Sequence, residues 1–156
     1  MSAVSFDTVD PTSPDAREAI ECYFAELDDR FTTGFDPGHG GADADVVELA
    51  APSGAFVVIR DDAGSVIGCG GVQRIDDETG EIKRMWIDPS WRGGGLGPRL
   101  LAHLEQVARD LGRSSAILDT NEVLHEAVAM YERNGYRRIE RYNDNPYAHH
   151  WFAKDL

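Results

Sequence analysis

At 156 residues and 42% hydrophobic, the chain can bury one core of ordinary size and is too short to be read comfortably as two domains. Charged residues at 28% and aromatics at 9% exclude wholesale disorder. The net charge of −13 argues against a nucleic-acid backbone or an anionic membrane surface as partner, since both call for clustered Lys and Arg. It favours cationic small molecules or basic peptides, and serves solubility equally well.

No run approaches the roughly 18 to 20 apolar residues that span a bilayer. The start, MSAVSFDTVDPTSPD, has neither the basic n-region nor the apolar h-region of an export signal. Cys22 and Cys69 fall in separate elements without CxxC spacing, which fits reduced thiols in a cytoplasmic setting and leaves a single disulfide open.

The first 12 residues read as loosely ordered. Ser13-Pro14-Asp15 then supplies a capping hydroxyl, a first-turn proline and an acid at the positive helix end. Ile20, Tyr23, Phe24, Leu27 and Phe31 recur at helical spacing up to about Phe31. Thr32 to Ala44, rich in Gly and Asp, reads as a mobile loop. Phe56–Arg60 and Val66–Val72 flank the turn residues Asp61-Asp62-Ala63-Gly64 and are expected to pair as a hairpin. Glu81–Ile87 adds a third strand that ends at Asp88-Pro89.

From Gly97 the period changes. Leu100, Leu101, Leu104, Val107, Ala108 and Leu111 form a helical stripe stopped by Gly112. A short buried strand, Ser115–Asp119, precedes a helix from about Glu122 that Gly135 stops. Tyr136–Tyr142 and His149–Ala153 close the chain as two strands joined through Asn143-Asp144-Asn145-Pro146. This order implies one α/β domain over 1–156: an antiparallel meander joined to a central parallel pair, 81–87 beside 115–119, in a mixed sheet with helices on both faces.

Arg92-Gly93-Gly94-Gly95-Leu96-Gly97 lies between a strand end and a helix start, where a phosphate can rest on free N–H groups and the positive helix dipole. Pro98 sits in the first turn, and Arg92 and Arg99 add local positive charge. A P-loop needs Gly-Lys-Ser/Thr, but Pro98-Arg99 follows Gly97. A G-x-G-x-x-G fingerprint counted from Gly93 meets Pro98 at its third glycine.

What remains, Arg-x-x-Gly-x-Gly after a strand and Asp-Pro, resembles the acetyl-CoA signature of the GNAT superfamily of N-acetyltransferases. Asn121, Ala127, Tyr131 and Gly135-Tyr136 stand where that family has its second signature, and the resemblance covers about residues 14 to 156. It implies acetyl-CoA as acetyl donor, with main-chain contacts from Met85, Trp86 and Ile87 to the pantetheine. The N–H groups of Gly93, Gly94, Gly95, Leu96 and Gly97 beside Arg92 would hold the pyrophosphate, and Asn121 would touch the pantetheine.

A primary amine with pKa near 10 must lose a proton before it attacks a thioester, and the leaving thiolate gains from a proton donor. The resemblance offers Tyr131 as that acid and Glu81 as the base, directly or through water. It implies direct transfer in a ternary complex to a primary amine, small and cationic, with no metal. Two alternatives stay open: a lysine or N-terminal protein acetyltransferase, and a non-catalytic acetyl-CoA-binding sensor. The oligomer is also open, a homodimer included.

Phe31, Phe35, Asp36, Tyr142, Asn145 and Tyr147 are candidates for the acceptor pocket, and Asp28, Asp29 and Asp36 could attract a cation or be plain solvated surface. His149-His150 are strand neighbours that point to opposite faces and cannot easily chelate one ion. Cys69, between Gly68, Gly70 and Gly71, reads as a small buried thiol, its glycines as marks of a bulge or a close backbone approach.

Overall fold

The alternation Phe56-Val57-Val58-Ile59 is apolar on both sides, as a strand covered on both faces requires. In the computed structural model, which describes residues 3–36 and 41–156, these residues lie in the interior of the sheet and are fully buried. The chain runs β1 (Ser5–Val9), α1 (Pro14–Arg30), α2 (Gly41–Glu48), β2 (Ala55–Arg60), β3 (Val66–Arg74), β4 (Thr79–Ile87), α3 (Leu96–Asp110), β5 (Ser115–Thr120), α4 (His125–Arg133), β6 (Arg137–Ile139) and β7 (His150–Asp155). A 3-10 turn at Pro89–Trp91 joins β4 to the glycine loop.

Seven strands form one sheet in the order β1-β2-β3-β4-β5-β7-β6. All neighbours are antiparallel except β4 and β5. Helices cover both faces. Ala16, Ala19 and Ile20 of α1 pack on Phe56, Val58 and Cys69. Leu100, Leu101, Leu104 and Ala108 of α3 pack on Val57, Ile59, Val72 and Phe152, together with Met130 and Tyr131 of α4. Gly70 exists for this packing, because a Cβ there would lie 2.6 Å from a methyl of Leu104.

The Ser13 side chain caps α1, accepting from the Ala16 N–H at 3.3 Å. Four expectations need correction. The first dozen residues are not loose throughout: Ser5–Val9 pairs with Phe56–Arg60, Asp7 meets Arg60 at 2.7 Å, and Phe6 packs on the core. A five-residue edge strand with single apolar residues on each face carries too weak a pattern to be read from sequence.

The expected loop at Thr32–Ala44 gives way to α2 from Gly41; residues 37–40 lie outside the described residues. Tertiary contacts account for this helix: Asp45 is fully buried against Arg84, and Leu49, just beyond the helix, is fully buried in the core. The strand expected at Tyr136–Tyr142 shrinks to Arg137–Ile139, and beyond it the side chains of Tyr142 and Asn143 turn to Glu81 and Asp119 of the cleft. The helix expected from Glu122 starts at His125, because Asn121 holds a turn through its Oδ1 and carbonyl oxygen, accepting from the N–H groups of Val123 and Leu124. Among the described residues, no helix is long and apolar enough to cross a membrane.

Candidate active site

The parallel pair opens the site. β4 and β5 pair only where Thr79–Glu81 meets Ser115–Ile117, while β5 stays with β7 along its whole length. Beyond Glu81 the two strands part. On the other side of β4, Cys69 pairs with Trp86 and Gly71 with Lys83, so β4 holds one more residue than β3 across that interval. This bulge contains Arg84, at φ 59°, a conformation that costs a non-glycine residue about 1–3 kcal/mol. Two bonds from its guanidinium to buried Asp45, at 2.9 and 3.1 Å, and the Cys69 thiol donating to its carbonyl at 3.1 Å hold it there.

Two clefts meet in the gap. The first, about 410 Å³, runs from Met85, Trp86 and Ile87 along the glycine loop to α4, and its interior is apolar: Leu27, Leu96, Ala127, Met130. Gly93 (φ 85°) and Gly95 (φ 82°) take the left-handed backbone that only glycine adopts freely. A Cβ on either would meet nothing within 4 Å, so the loop's main chain borders open space. Gly95 caps α3 without a side chain, leaving the first-turn N–H groups to any anion in the concavity.

Arg92 donates to the Ile87 carbonyl at 3.1 Å and to Glu26 of α1. Arg30 of α1 reaches Glu126 of α4 and the Val123 carbonyl. These charges rim the mouth, while free main chain and apolar side chains line its depth.

The second cleft, about 440 Å³, is the more polar of the two and shares Tyr23, Leu27, Met85, Leu124, Ala127 and Tyr131 with the first; its carboxylates, Asp36, Glu81 and Asp119, make it the acidic cleft. Glu81, at 8% exposure, accepts from the Tyr142 hydroxyl at 2.6 Å. Burial raises its pKa above the ordinary glutamate value, and the Tyr142 hydrogen bond opposes that rise. Asp119 stands two residues beyond Ile117, the register partner of Glu81, and so faces the same side of the sheet. Its two oxygens accept from the Asn143 and Asn145 amides at 2.6 and 3.2 Å.

An aromatic wall also lines this cleft. Tyr147 stacks on Phe31 at 5.5 Å and lies 4.8 Å from Phe35, and its hydroxyl accepts from the Asp36 N–H at 2.9 Å. Tyr131 stands on the partition between the clefts, buried, with its hydroxyl 3.7 Å from the Met85 sulfur, a weak acceptor. Burial, then the neighbouring Tyr23 and Asp119, raises its pKa, so it carries its proton throughout the neutral range.

The structure brings most sequence-derived residues together: Trp86, Ile87, Arg92, Gly93, Gly95, Leu96 and Gly97 line the first cleft, Glu81 the second, and Met85 and Tyr131 both. Gly94 belongs to the loop but does not line the cleft. Asn121 borders the acidic cleft, not the glycine loop, and its amide is engaged: Nδ2 donates to the Tyr147 carbonyl at 2.7 Å and Oδ1 accepts from Val123 at 2.9 Å. Phe31, Phe35, Asp36, Asn145 and Tyr147 line the second cleft, whereas Asp28 turns to the Phe35 N–H at 2.9 Å.

Tyr23, Asp119, Glu26 and Arg30 escaped the sequence reading. Tyr23 looked like one more residue of a helical stripe, and Asp119 like the end of a buried strand. Cys22 and Cys69 are free thiols, Cys69 buried. His149 and His150 are engaged apart, with Glu122 N–H and Arg138 respectively.

Free main chain beside glycine-loop N–H groups suits a long ligand with an apolar, amide-bearing arm and an anionic end, the chemistry of a coenzyme A thioester. Comparison with known proteins agrees. The model of the acetyltransferase (GNAT) family matches residues 15–136. An IAA acetyltransferase of Azospirillum brasilense is 36% identical over 122 residues, 77% of this chain and 78% of that protein. A Klebsiella pneumoniae crystal structure, provisionally named an acyl-CoA N-acyltransferase, superposes with a TM-score of 0.75 at 28% identity, covering 100% of this chain and 98% of that one. A GNAT acetyltransferase of Elizabethkingia anophelis, solved with acetyl-CoA bound, gives a TM-score of 0.72 at 16% identity over 98% of each chain.

Proposed function

The chain belongs to the GNAT acetyltransferase family, and from that premise we propose that it transfers the acetyl group of acetyl-CoA to a small, cationic primary amine within one ternary complex. The observation that carries this reading is the position of Tyr131, on the wall shared by the glycine-loop cleft and the acidic cleft. Donor and acceptor placed in the two clefts would meet at its hydroxyl.

Acetyl-CoA supplies an activated acetyl thioester. The main chain of Met85, Trp86 and Ile87 would hold its arm, the N–H groups of Gly93 to Gly97 and the Arg92 charge its pyrophosphate. Glu81 takes the proton of the incoming ammonium, directly or through a water. Its raised pKa brings it nearer to neutrality, where a base is most effective. Once the free amine has added to the thioester carbonyl, Tyr131, which keeps its proton at neutral pH, gives it to the departing sulfur as the C–S bond breaks, and regains one from the nitrogen as the amide forms. The weak bond to Met85 leaves the hydroxyl free to turn. Asn121 acts indirectly, by fixing the Tyr147 carbonyl and so the aromatic wall.

The test is release of CoA thiol from acetyl-CoA across a panel of primary amines. Turnover with small cationic amines supports the proposal. Acetylation of basic peptides alone would move the acceptor to a protein, and CoA binding without turnover on any amine or peptide would leave a non-catalytic sensor.

A further inference from the structure

The acidic cleft is unbalanced in charge. Its lining includes two cations, Lys83 and Arg84, and both are held by anions or amides of this chain. Lys83 Nζ contacts Gln73 at 3.0 Å and Glu48 at 3.4 Å, and Arg84 is clamped on Asp45. Neither Glu81 nor Asp119 forms an ion pair among the described residues; their hydrogen-bond partners are the neutral Tyr142, Asn143 and Asn145. The same cleft is lined by Phe31, Phe35 and Tyr147, which pack on one another as an aromatic wall.

We infer that Asp119 is a specificity-determining residue, and that the acceptor is a primary amine with an apolar or aromatic body and no carboxylate beside the amine. This rests on the reading of the acidic cleft as the acceptor site. An ammonium between Glu81 and Asp119 gains two opposite charges, and its body lies along the aromatic wall, where contact with Tyr147 or Phe35 replaces water. An α-amino acid would carry a further carboxylate into a cleft already lined by Asp36, Glu81 and Asp119, with no uncommitted cation among the described residues of that lining to receive it. Such like-charge opposition rejects a ligand that otherwise fits. Asp119 also fixes the 143–145 segment, so the residue that selects for charge also shapes the pocket.

The experiment compares matched acceptors that differ only in that carboxylate, 2-phenylethylamine against L-phenylalanine and tyramine against L-tyrosine, by CoA thiol release from the wild-type enzyme. The amine of each pair should be preferred by about 100-fold or more in kcat/KM, and 2-phenylethylamine should exceed ethanolamine by about tenfold. Asp119→Asn retains the side-chain shape and one of the two accepting oxygens while removing the charge, at the loss of one of the two hydrogen bonds to Asn143 and Asn145. It should narrow the amine-to-amino-acid ratio by about tenfold with the KM for acetyl-CoA unchanged. Equal or better turnover of the amino acids by the wild type overturns the inference alone, as does an unchanged ratio in a folded Asp119→Asn variant. If that variant does not fold, the wild-type ratios still decide. Absence of turnover with every amine, although CoA binds, overturns the reading beneath it as well.

Discussion

The glycine-loop cleft and the acidic cleft share Tyr131 but present different chemistry. The first offers main chain: the free side of β4 at Met85–Ile87 and the N–H groups at the start of α3. The second offers side chains from separate parts of the chain, Phe31 and Phe35 after α1, Glu81 on β4, Asp119 on β5 and Tyr147 before β7. Main-chain recognition tolerates change in most side chains and demands glycine where the backbone must be left-handed or exposed. Side-chain recognition is altered by one substitution at any of those places. A donor site of the first kind suits a constant cosubstrate, and an acceptor site of the second kind suits a variable one.

The largest effect that would break this division is expected at the partition. Tyr131→Phe should lower kcat about 100-fold while binding of CoA, followed by calorimetry, stays near wild type. Loss of CoA binding instead would make Tyr131 a wall residue and not an acid.

Glu81→Gln should lower kcat/KM at neutral pH about 30-fold. Burial lifts the folded pKa of Glu81 above its unfolded value, so the native state holds its proton to higher pH. Stability therefore falls as pH rises through that window, and the ionised carboxylate burdens the fold above it. The Gln variant should then melt at or above the wild-type temperature at pH 7, while wild-type kcat/KM climbs as pH passes the folded pKa. A melting temperature clearly below wild type would assign Glu81 a structural role.

Arg92→Ala should raise the KM for acetyl-CoA about tenfold and leave the acceptor KM unchanged, because its charge serves the mouth of the first cleft alone. An equal change in both constants would dissolve the distinction between the clefts. The smallest effect is expected for Phe35→Ala, about threefold in acceptor KM with the donor KM constant.

Much of the fold was legible in periodicity. The stripe of Leu100, Leu101, Leu104 and Ala108 and the run Phe56–Ile59 report their burial through spacing alone, and Ser13-Pro14 marks a helix start whatever lies around it. β1 and α2 were not legible, because each is held by partners distant in sequence: Asp7 by Arg60, Asp45 by Arg84. Within the site, the loop from Arg92 to Gly97 could be read because a glycine at positive φ is a local requirement with a local residue signature. Asp119 could not be, since nothing around it in the chain distinguishes a cleft carboxylate from a strand-end acid.

By itself, the sequence determined most of the elements between Pro14 and the last strand and the glycine turn from Arg92 to Gly97, which follow from local backbone preference and short-range spacing. Tyr131 and Glu81 were singled out by the family resemblance. Only the tertiary structure decided that β4 and β5 part after Glu81, that a bulge at Arg84 is clamped by Asp45, and that Asp119 and Glu81 line one cleft with an aromatic wall. The physical reason is that side-chain pairing across a sheet depends on register and splay, which arise between segments and leave no mark on either one alone.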